Sequence, residues 1–373
     1  MKPEPVQVEV VGVTDAGLVR DRNEDWYAIG DLDRGALSDG GGATRSRGPR
    51  GPLFVVCDGM GGVAGGEVAS QLAVDVVWRE MLASPATYER SVFARHLRRA
   101  IRAAHRHVID EAAARPELRG MGTTVSAAGL AGGALLIAQV GDSRAYIERA
   151  GALTQVTRDQ SVVSALVHAG RLSEMEARLS EKRSLILQAL GTGPDVDVAI
   201  SLVELRRGDR LLLCSDGLHG PVNDDALRHV LASQDGLQGA ADALVGLARQ
   251  AGAPDNVTVV IARFTGERLP LPAGEGDRPR FTELDPNEEG DGALTSTSYV
   301  GRRLAARAGL RNDTSPPGIP ATGQHRAVRP PADPPTPPVG AVKTRGSRLA
   351  LVACVVAAVI ALAALGVYLG GVL

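Results

Sequence analysis

Four aspartates stand at the ends of apolar runs, where a carboxylate can face a common site. They are Asp58 after the run 53–57, Asp142 after 135–140, Asp216 after 211–215, and Asp255 before 257–261. An Asp beside a Gly is first of all a turn signal, but four turns of the same form are hard to ascribe to chance. Carboxylates gathered at strand ends repel one another unless cations lie between them. Oxygen ligands favour hard divalent ions such as Mg²⁺ or Mn²⁺, so the pattern predicts metal-assisted chemistry.

Short motifs accompany these aspartates in a fixed order. They read Arg20-Asp21-Arg22-Asn23-Glu24-Asp25, Asp58-Gly59-Met60-Gly61-Gly62, Gly122-Thr123-Thr124, Gly141-Asp142-Ser143-Arg144, Ser215-Asp216-Gly217 and Asp255-Asn256. Each motif alone is poor evidence. The ordered set resembles the metal-dependent protein phosphatases of type 2C over about residues 6–264. Members of that family hydrolyse phosphoserine and phosphothreonine in proteins with two Mn²⁺ or Mg²⁺ ions.

The resemblance implies a site with a metal centre and a phosphate ligand. Its metal residues would be Asp58, Asp216, Asp255 and the Gly59 carbonyl, with Glu24 and Asp25 in or beside the metal shell and Asp142 for a third, weaker ion. The catalytic pair would be Arg20 and Asp58, and the planar guanidinium of Arg20 suits a phosphate dianion. The two ions would lower the pKa of a bridging water and aim it at phosphorus. No phosphoenzyme intermediate is then needed.

Three positions depart from the family pattern. Met60 stands where many eukaryotic members have a His that is a proposed general acid, and methionine cannot donate a proton. The leaving group would then take its proton from a metal-bound water or another residue. Gly220 stands where an Asp often follows, which leaves Asp216 without that support, and Gln160 replaces the usual His. None of these changes removes a principal metal ligand.

The elements that must position these residues follow from periodicity. Residues 67–82 and 89–114 carry apolar side chains at helical spacing, and frequent short strands favour antiparallel pairing. The resemblance implies an α+β fold, a four-layer α-β-β-α sandwich of two antiparallel sheets flanked by helices. We expect residues 6–13 to form an edge strand, 33–51 a long solvated loop, and 162–190 a helical flap beside the site.

Composition excludes several classes. The net charge of −2 and the pI near 6.4 give no basic footprint for nucleic acid. The three cysteines lie far apart within apolar runs, which predicts reduced, buried thiols in a cytosolic protein. No zinc spacing is present, and His105 and His107, two apart on a predicted helix, are expected on solvated faces.

The C-terminal part differs from the predicted catalytic domain at 6–265. Residues 266–347 hold 13 of the 22 prolines and no lasting period, which predicts a disordered linker. Residues 349–369 form an uncharged run of the length of a transmembrane helix. Lys343, Arg345 and Arg348 flank this run on one side, so the positive-inside rule predicts a single-pass, tail-anchored protein with a cytoplasmic catalytic domain.

The predicted partners are phosphorylated proteins at the membrane surface, including Ser/Thr kinases and their substrates. Two alternatives stay open at this point. One is a catalytically weak or dead phosphatase fold that serves as a membrane-tethered scaffold, against which the presence of Asp58, Asp216 and Asp255 speaks. The other is a nucleotide hydrolase, which would need a glycine-rich loop ending in Gly-Lys-Ser/Thr, and the chain has none.

Overall fold

The apolar runs of the sequence form the strands of two antiparallel sheets. The structure is a computed structural model that describes residues 6–38, 41–45, 51–61, 65–274, 276–284 and 294–295. The strands are β1 (Gln7–Asp15), β2 (Asp25–Asp31), β3 (Ala36–Ser38), β4 (Gly41–Arg45), β5 (Pro52–Met60), β6 (Gly122–Thr123), β7 (Val125–Ala131), β8 (Ala134–Val140), β9 (Arg144–Arg149), β10 (Ala152–Gln155), β11 (Ala199–Glu204), β12 (Arg210–Cys214), β13 (Val257–Thr265), β14 (Phe281–Leu284) and β15 (Leu294–Thr295).

One sheet has the order β10-β9-β12-β13-β1-β4, and the other has β15-β14-β11-β8-β7-β5-β2-β3, with β6 paired to β5. All the pairings are antiparallel. The helices are α1 (Gly65–Ala83), α2 (Arg90–Ala114), α3 (Val162–His168), α4 (Glu174–Leu179), α5 (Asp216–His219), α6 (Asp224–Ser233) and α7 (Leu237–Gln250). The predicted α+β class with two antiparallel sheets and helices is confirmed.

Strand β5 shows how period-two alternation builds the packing. Val55 points into a core shared with α1 and α2, where Val77 and Leu97 are fully buried. Its neighbour Phe54 points the opposite way, into a core between the two sheets that also holds Phe264. Because successive side chains of a strand face opposite sides, one apolar run supplies two cores. A third core lies between the first sheet and helices α6 and α7.

Two predictions for the N-terminal strands are wrong. Strand β1 is not an edge strand, because β4 pairs along it from Gln7↔Arg45 to Val11↔Gly41. The same pairing shows that the predicted loop 33–51 contains regular structure, with β3 and β4 inside it. Periodicity missed both strands because they are short and rich in Gly, Ser and Ala, so the pairing partner decides their conformation.

The predicted flap is less helical than expected. Within 162–190 only α3 and α4 are helices, and α3 ends before Gly170, which has a φ of +66°. After α4 the chain turns back, and the Val162 amide donates to the Leu185 carbonyl at 2.8 Å. The charged residues of this segment recur at helical spacing, but the segment has no apolar stripe that a helix could bury. Accordingly, α4 buries none of its residues.

The folded part continues past the predicted boundary at Thr265. Strand β14 pairs with β11, and Leu269 is 2% exposed, so the first part of the predicted disordered linker is ordered. Within that linker, residues 275, 285–293 and 296–347 lie outside the described residues, and so does the predicted span at 349–369. Within the described part of the chain, no helix has the length and apolarity to cross a membrane.

The buried thiols are confirmed for two of the three cysteines, since Cys57 and Cys214 are free and buried. His105 contradicts its predicted solvated position, because it is only 2% exposed. Its Nδ1 accepts the Gly191 amide at 3.2 Å, and burial lowers the pKa of this imidazole. The prediction failed because the chain between α4 and β11 packs on this part of α2, where Gly191 contacts His105 and lies against Val108.

Candidate active site

The carboxylates singled out by the sequence meet at one edge of the two sheets. Antiparallel register places the start of β2 beside the end of β5, with Asp25 directly opposite Asp58. The start of β13 lies beside the end of β12 in the same way, so Asp255 and Asp216 share that edge. The turn from β8 to β9 adds Asp142. Strand ends therefore gather residues that are up to 230 positions apart along the chain.

Asp25 and Asp58 face each other at this edge, Asp25 buried and Asp58 half-buried. Burial raises the pKa of Asp25 to about 7, although the Ser215 hydroxyl donates to its Oδ2 at 2.7 Å and opposes the shift. Burial, followed by the neighbouring charges of Asp25 and Asp216, raises the pKa of Asp58 well above its usual range. Two facing carboxylates, one buried and one half-buried, cannot both ionise at low cost in free energy without a cation.

Asp142 and Asp216 extend the same crowding. Burial raises the pKa of Asp142 to about 8, with the charge of Asp216 as the next cause. Burial and then the charge of Asp255 raise the pKa of Asp216. The four carboxylates thus form one interacting group, and each neighbour makes ionisation of the others less favourable. Such a group fits divalent cations, which would remove the repulsion.

The carboxylates do not form a closed protein cage. Among the residues that the structure describes, no three His, Cys, Asp or Glu side chains converge as the ligands of one ion. The carboxylates lie close enough to raise one another's pKa without converging on a single point. Ions of the Mg²⁺ type usually bind through one or two carboxylates and keep several waters. The donor set therefore suits such ions without a dedicated cage.

Arg20 lies at the exposed side of the group. Its Nη2 donates to Asp255 Oδ2 at 2.7 Å, and both side chains are partly exposed. The hydrogen bond to Asp255, followed by the charge of Asp255, raises the pKa of Arg20. The predicted phosphate ligand and a predicted metal ligand are therefore adjacent, as a site that binds both phosphate and metal requires.

Glu24 and Gly59 are joined through the backbone. The Gly59 amide donates to the Glu24 carbonyl at 3.1 Å, and burial raises the pKa of the Glu24 carboxyl. A Cβ at Gly59 would lie 2.1 Å from the Gly66 carbonyl oxygen, and one at Gly66 would lie 2.7 Å from Glu24 Cδ. Both glycines are required because the start of α1 packs directly on this edge.

Asn256 organises the loop that carries Arg20 and Glu24. Its Oδ1 accepts the Glu24 amide at 2.8 Å, and its Nδ2 donates to the Ala16 and Arg22 carbonyls at 2.9 and 2.8 Å. The sequence shows Asn256 only as the neighbour of Asp255. Residue spacing does not predict that this buried side-chain amide bonds three backbone groups. Its position in the Asp255-Asn256 motif was the one hint of a role.

The two threonines of the Gly122-Thr123-Thr124 motif hold the backbone of Asp58. Thr124 Oγ1 accepts the Asp58 amide at 3.0 Å, and Thr123 Oγ1 donates to the Asp58 carbonyl at 2.9 Å. Ser143 Oγ lies 2.7 Å from Thr124 Oγ1. These contacts link the end of β5 to the turn that carries Asp142, so the two carboxylates keep a constant relation.

Gln160, the departure from the family pattern, lies beside Asp142. Its Oε1 accepts the Gly141 amide at 2.8 Å and a hydrogen bond from Gln188 Nε2 at 2.6 Å. The backbone N–H of Gln160 donates to the Gly141 carbonyl at 3.0 Å. The entry and exit of the flap segment are therefore joined to the Asp142 turn. Sequence analysis identified the substitution but not this connection.

His219 contacts the turn that carries Asp142, and Arg144 follows that turn in the chain. His219 Nε2 lies 3.0 Å from the Asp142 carbonyl oxygen, and since a carbonyl only accepts, Nε2 carries the proton. Burial, and then the charge of Arg144, lowers the pKa of His219 to about 3. Arg144 itself makes a two-pronged pair with Asp159, with its shortest contact at 2.6 Å. Sequence reasoning assigned no role to His219 or Asp159.

A groove of about 890 Å³ opens next to the carboxylates. Asp142 and Asp216 line it together with residues of the flap, of α5 and of the α5–α6 connection. Of the basic residues in the flap segment 162–190, Arg178 and Arg183 line the groove, whereas Arg171 and Lys182 do not. Met60 and Gly220 are at this edge as well. Met60 ends β5, and the Gly220 amide donates to the Asp216 carbonyl at 2.7 Å.

Comparison with known proteins agrees with this geometry. The model of the family described as protein phosphatase 2C matches residues 43–244. The chain is 38% identical over 309 residues to the serine/threonine protein phosphatase PstP of Mycobacterium tuberculosis, across 79% of this chain and 54% of that protein. It is 34% identical over 251 residues to the serine/threonine phosphatase stp of Listeria monocytogenes, across 66% of this chain and 92% of that protein. The chain thus spans about half the length of its Mycobacterium relative.

Solved structures give the same result. The catalytic domain of PstP in complex with two manganese ions matches with a TM-score of 0.58 at 36% identity, covering 70% of this chain and 99% of that one. The phosphatase Stp1 from Staphylococcus aureus matches with a TM-score of 0.63 at 31% identity, covering 71% of this chain and 98% of that one. The matched part of this chain corresponds to nearly the whole of each of those two domains.

Proposed function

This chain belongs to the protein phosphatase 2C family, and we propose from that premise that it hydrolyses phosphoserine and phosphothreonine in proteins with the help of two Mn²⁺ or Mg²⁺ ions. The observation that carries the proposal is the crowding of Asp25, Asp58, Asp142 and Asp216 at one sheet edge, with raised pKa values caused first by burial. Four carboxylates this close together would destabilise the folded protein when ionised, unless bound cations neutralise their charge.

The metal ligands proposed are Asp58, Asp216, Asp255 and the Gly59 carbonyl, with Glu24 and Asp25 in or beside the shell and Asp142 for a third ion. When bound, the ions supply an activated water and neutralise charge on the phosphate. The rest is done by the chain itself. Thr123 and Thr124 hold the Asp58 backbone, which keeps this carboxylate in place.

Arg20 is proposed to bind the substrate phosphate. Its guanidinium is already oriented toward the carboxylate edge by Asp255, and its remaining N–H groups can donate to phosphate oxygens. As negative charge grows on the phosphate, these donors would stabilise it. Met60 offers no proton, so protonation of the leaving serine or threonine oxygen falls to solvent or to another group.

The test of this function is phosphate release from a phosphothreonine peptide by the purified full-length protein. Release should require Mn²⁺ or Mg²⁺, should stop with EDTA, and should be restored by excess metal. The Asp216→Asn variant should be inactive while retaining the wild-type circular dichroism spectrum. Metal-independent release, or none by a folded wild type at any metal concentration, would refute the proposal.

We further propose that residues 349–369 anchor the protein in a membrane, where it would oppose Ser/Thr kinases. Support comes from the uncharged run and its basic flank of Lys343, Arg345 and Arg348, which orient the catalytic part to the cytoplasm. The full chain should sediment with membranes and be protected from external protease in intact cells. A variant without 349–369 should remain in the supernatant. Full-length protein in the supernatant would contradict the anchor, and digestion from outside would contradict the orientation.

A further inference from the structure

His219 lies on the same short helix as Asp216, one turn later. Helix α5 consists of Asp216–His219, and residues three apart on a helix face the same side. Both side chains line the groove beside the carboxylates, whereas Leu218 between them is fully buried in the core behind the first sheet. One helical turn therefore presents a proposed metal ligand and an imidazole to the site.

Close backbone packing fixes the position of α5. A Cβ at Gly217 would lie 1.9 Å from the Asn256 carbonyl oxygen, so the helix lies directly against the chain before β13. At its other end the Gly220 amide donates to the Asp216 carbonyl at 2.7 Å. The imidazole of His219 therefore extends from a backbone that has little room to shift.

This imidazole connects α5 to the turn that carries Asp142. The Nε2–H of His219 donates to the Asp142 carbonyl oxygen at 3.0 Å. Both neighbours of Asp142 are held by other parts of the fold, since Gln160 Oε1 accepts the Gly141 amide at 2.8 Å and Ser143 is fully buried. The carbonyl at the centre of the turn is the group that His219 binds. The protonated Nε2 cannot itself bind a cation, so His219 acts on a metal through Asp142.

We propose that His219 is a positioning residue for metal binding, which holds the Asp142 carboxylate in a fixed relation to Asp216 and so sets the affinity for the ion at Asp142. This inference rests on the proposed function, in which Asp142 serves a third, weaker ion. The ligand is a divalent cation that prefers oxygen donors, Mn²⁺ or Mg²⁺. Residues that orient a metal ligand without touching the metal commonly change its affinity by about 10–100-fold.

Isothermal titration calorimetry of the metal-free full-length protein with Mn²⁺, in the absence of substrate, measures each binding step. The wild type should show a weaker step that Asp142→Asn abolishes. His219→Leu, which removes the donor, should weaken that step by about tenfold or more and leave the tighter steps unchanged. His219→Gln, whose Nε2 can donate from nearly the same place, should restore most of the affinity. His219→Met also removes the donor, and it replaces His219→Leu if leucine disturbs folding.

His229→Leu is the matched control, because His229 is an exposed histidine of α6 and is not part of the groove lining. It should bind Mn²⁺ like the wild type. The double variant Asp142→Asn/His219→Leu should bind Mn²⁺ like Asp142→Asn alone, since the effects of two residues that act through one contact are not additive.

Three results would overturn the inference. They are a wild type without the weaker step, an unchanged weaker step in His219→Leu, and an equal weakening of all steps, which would indicate a general structural role. Phosphate release from a phosphothreonine peptide, measured on the same samples, reports the proposed function separately. A Mn²⁺-dependent wild type whose weaker step does not respond to His219 would refute the inference alone, whereas a wild type inactive at every Mn²⁺ concentration would refute the proposed function and the inference with it.

Discussion

Arg20 and Asp255 are hydrogen-bonded to each other, with Arg20 Nη2 2.7 Å from Asp255 Oδ2. One residue is the proposed phosphate ligand and the other a proposed metal ligand. Both side chains are partly exposed, at 53% and 35%, so the pair itself contributes little stability. Its value is positional, because the guanidinium is held beside the place where phosphate and metal would meet.

Arg20→Ala should therefore raise KM and lower kcat for a phosphothreonine peptide, each by roughly tenfold or more, since the fork contacts phosphate in both ground and transition states. Steady-state kinetics at saturating Mn²⁺ checks this. Arg22→Ala is the control in the same loop, because the Arg22 side chain is 57% exposed and lies 4.0 Å from Glu67. Equal kinetics for wild type and Arg20→Ala would remove Arg20 from the phosphate site.

Asp58→Asn should abolish Mn²⁺-dependent turnover while leaving the fold intact, because the carboxylate at the centre of the group loses its charge. In EDTA the variant should melt at the same temperature as the wild type or higher, since repulsion from Asp25 and Asp216 is relieved. Calorimetry and phosphate release measure the two effects. A tenth or more of the wild-type rate at saturating Mn²⁺ would contradict the role of Asp58.

The metal-free protein should lose stability as pH rises from about 6.5 to about 8, above the range in which His219, whose pKa is lowered to about 3, acts in the opposite direction. Asp25 and Asp142 have pKa values of about 7 and about 8 in the folded state against 3.8 as the ordinary value. The native state therefore binds more protons than the unfolded state in this window, and the free energy of unfolding falls as pH increases. Denaturant titrations in EDTA at several pH values measure the slope. Mn²⁺ should raise stability most at the upper end, and a rising slope in EDTA would show that the carboxylates are not crowded.

Asn256→Ala should lower kcat/KM by roughly tenfold or more and reduce stability by about 1–3 kcal/mol, the usual cost of leaving buried polar partners unsatisfied. The three hydrogen bonds from this amide hold the loop that carries Arg20 and Glu24. Val245→Ala in helix α7, 7% exposed in the core behind the first sheet, is a control that destabilises at a distance. An activity loss no greater than that of Val245→Ala would assign Asn256 a purely structural role.

The sequence predicted the local parts of this molecule well. Short continuous apolar runs became strands, the long amphipathic stretches became α1 and α2, and the acidic residues lie at strand ends. These features depend on neighbours within a few positions, which a single chain displays directly. The same locality explains why β3, β4 and β14 were missed. They are short segments with weak patterns, and their conformation comes from a partner strand distant in sequence.

For the candidate active site, too, the sequence predicted some features and only the structure showed the others. Residue types and their order along the chain were enough to select Asp58, Asp142, Asp216 and Asp255 as a group and to suggest divalent ions. Only the tertiary structure decided that Arg20 pairs with Asp255, that Asn256 holds their loop, and that Phe281 reaches the groove from beyond Thr265. Antiparallel register and burial join residues far apart in sequence, and no local pattern specifies which of them will meet.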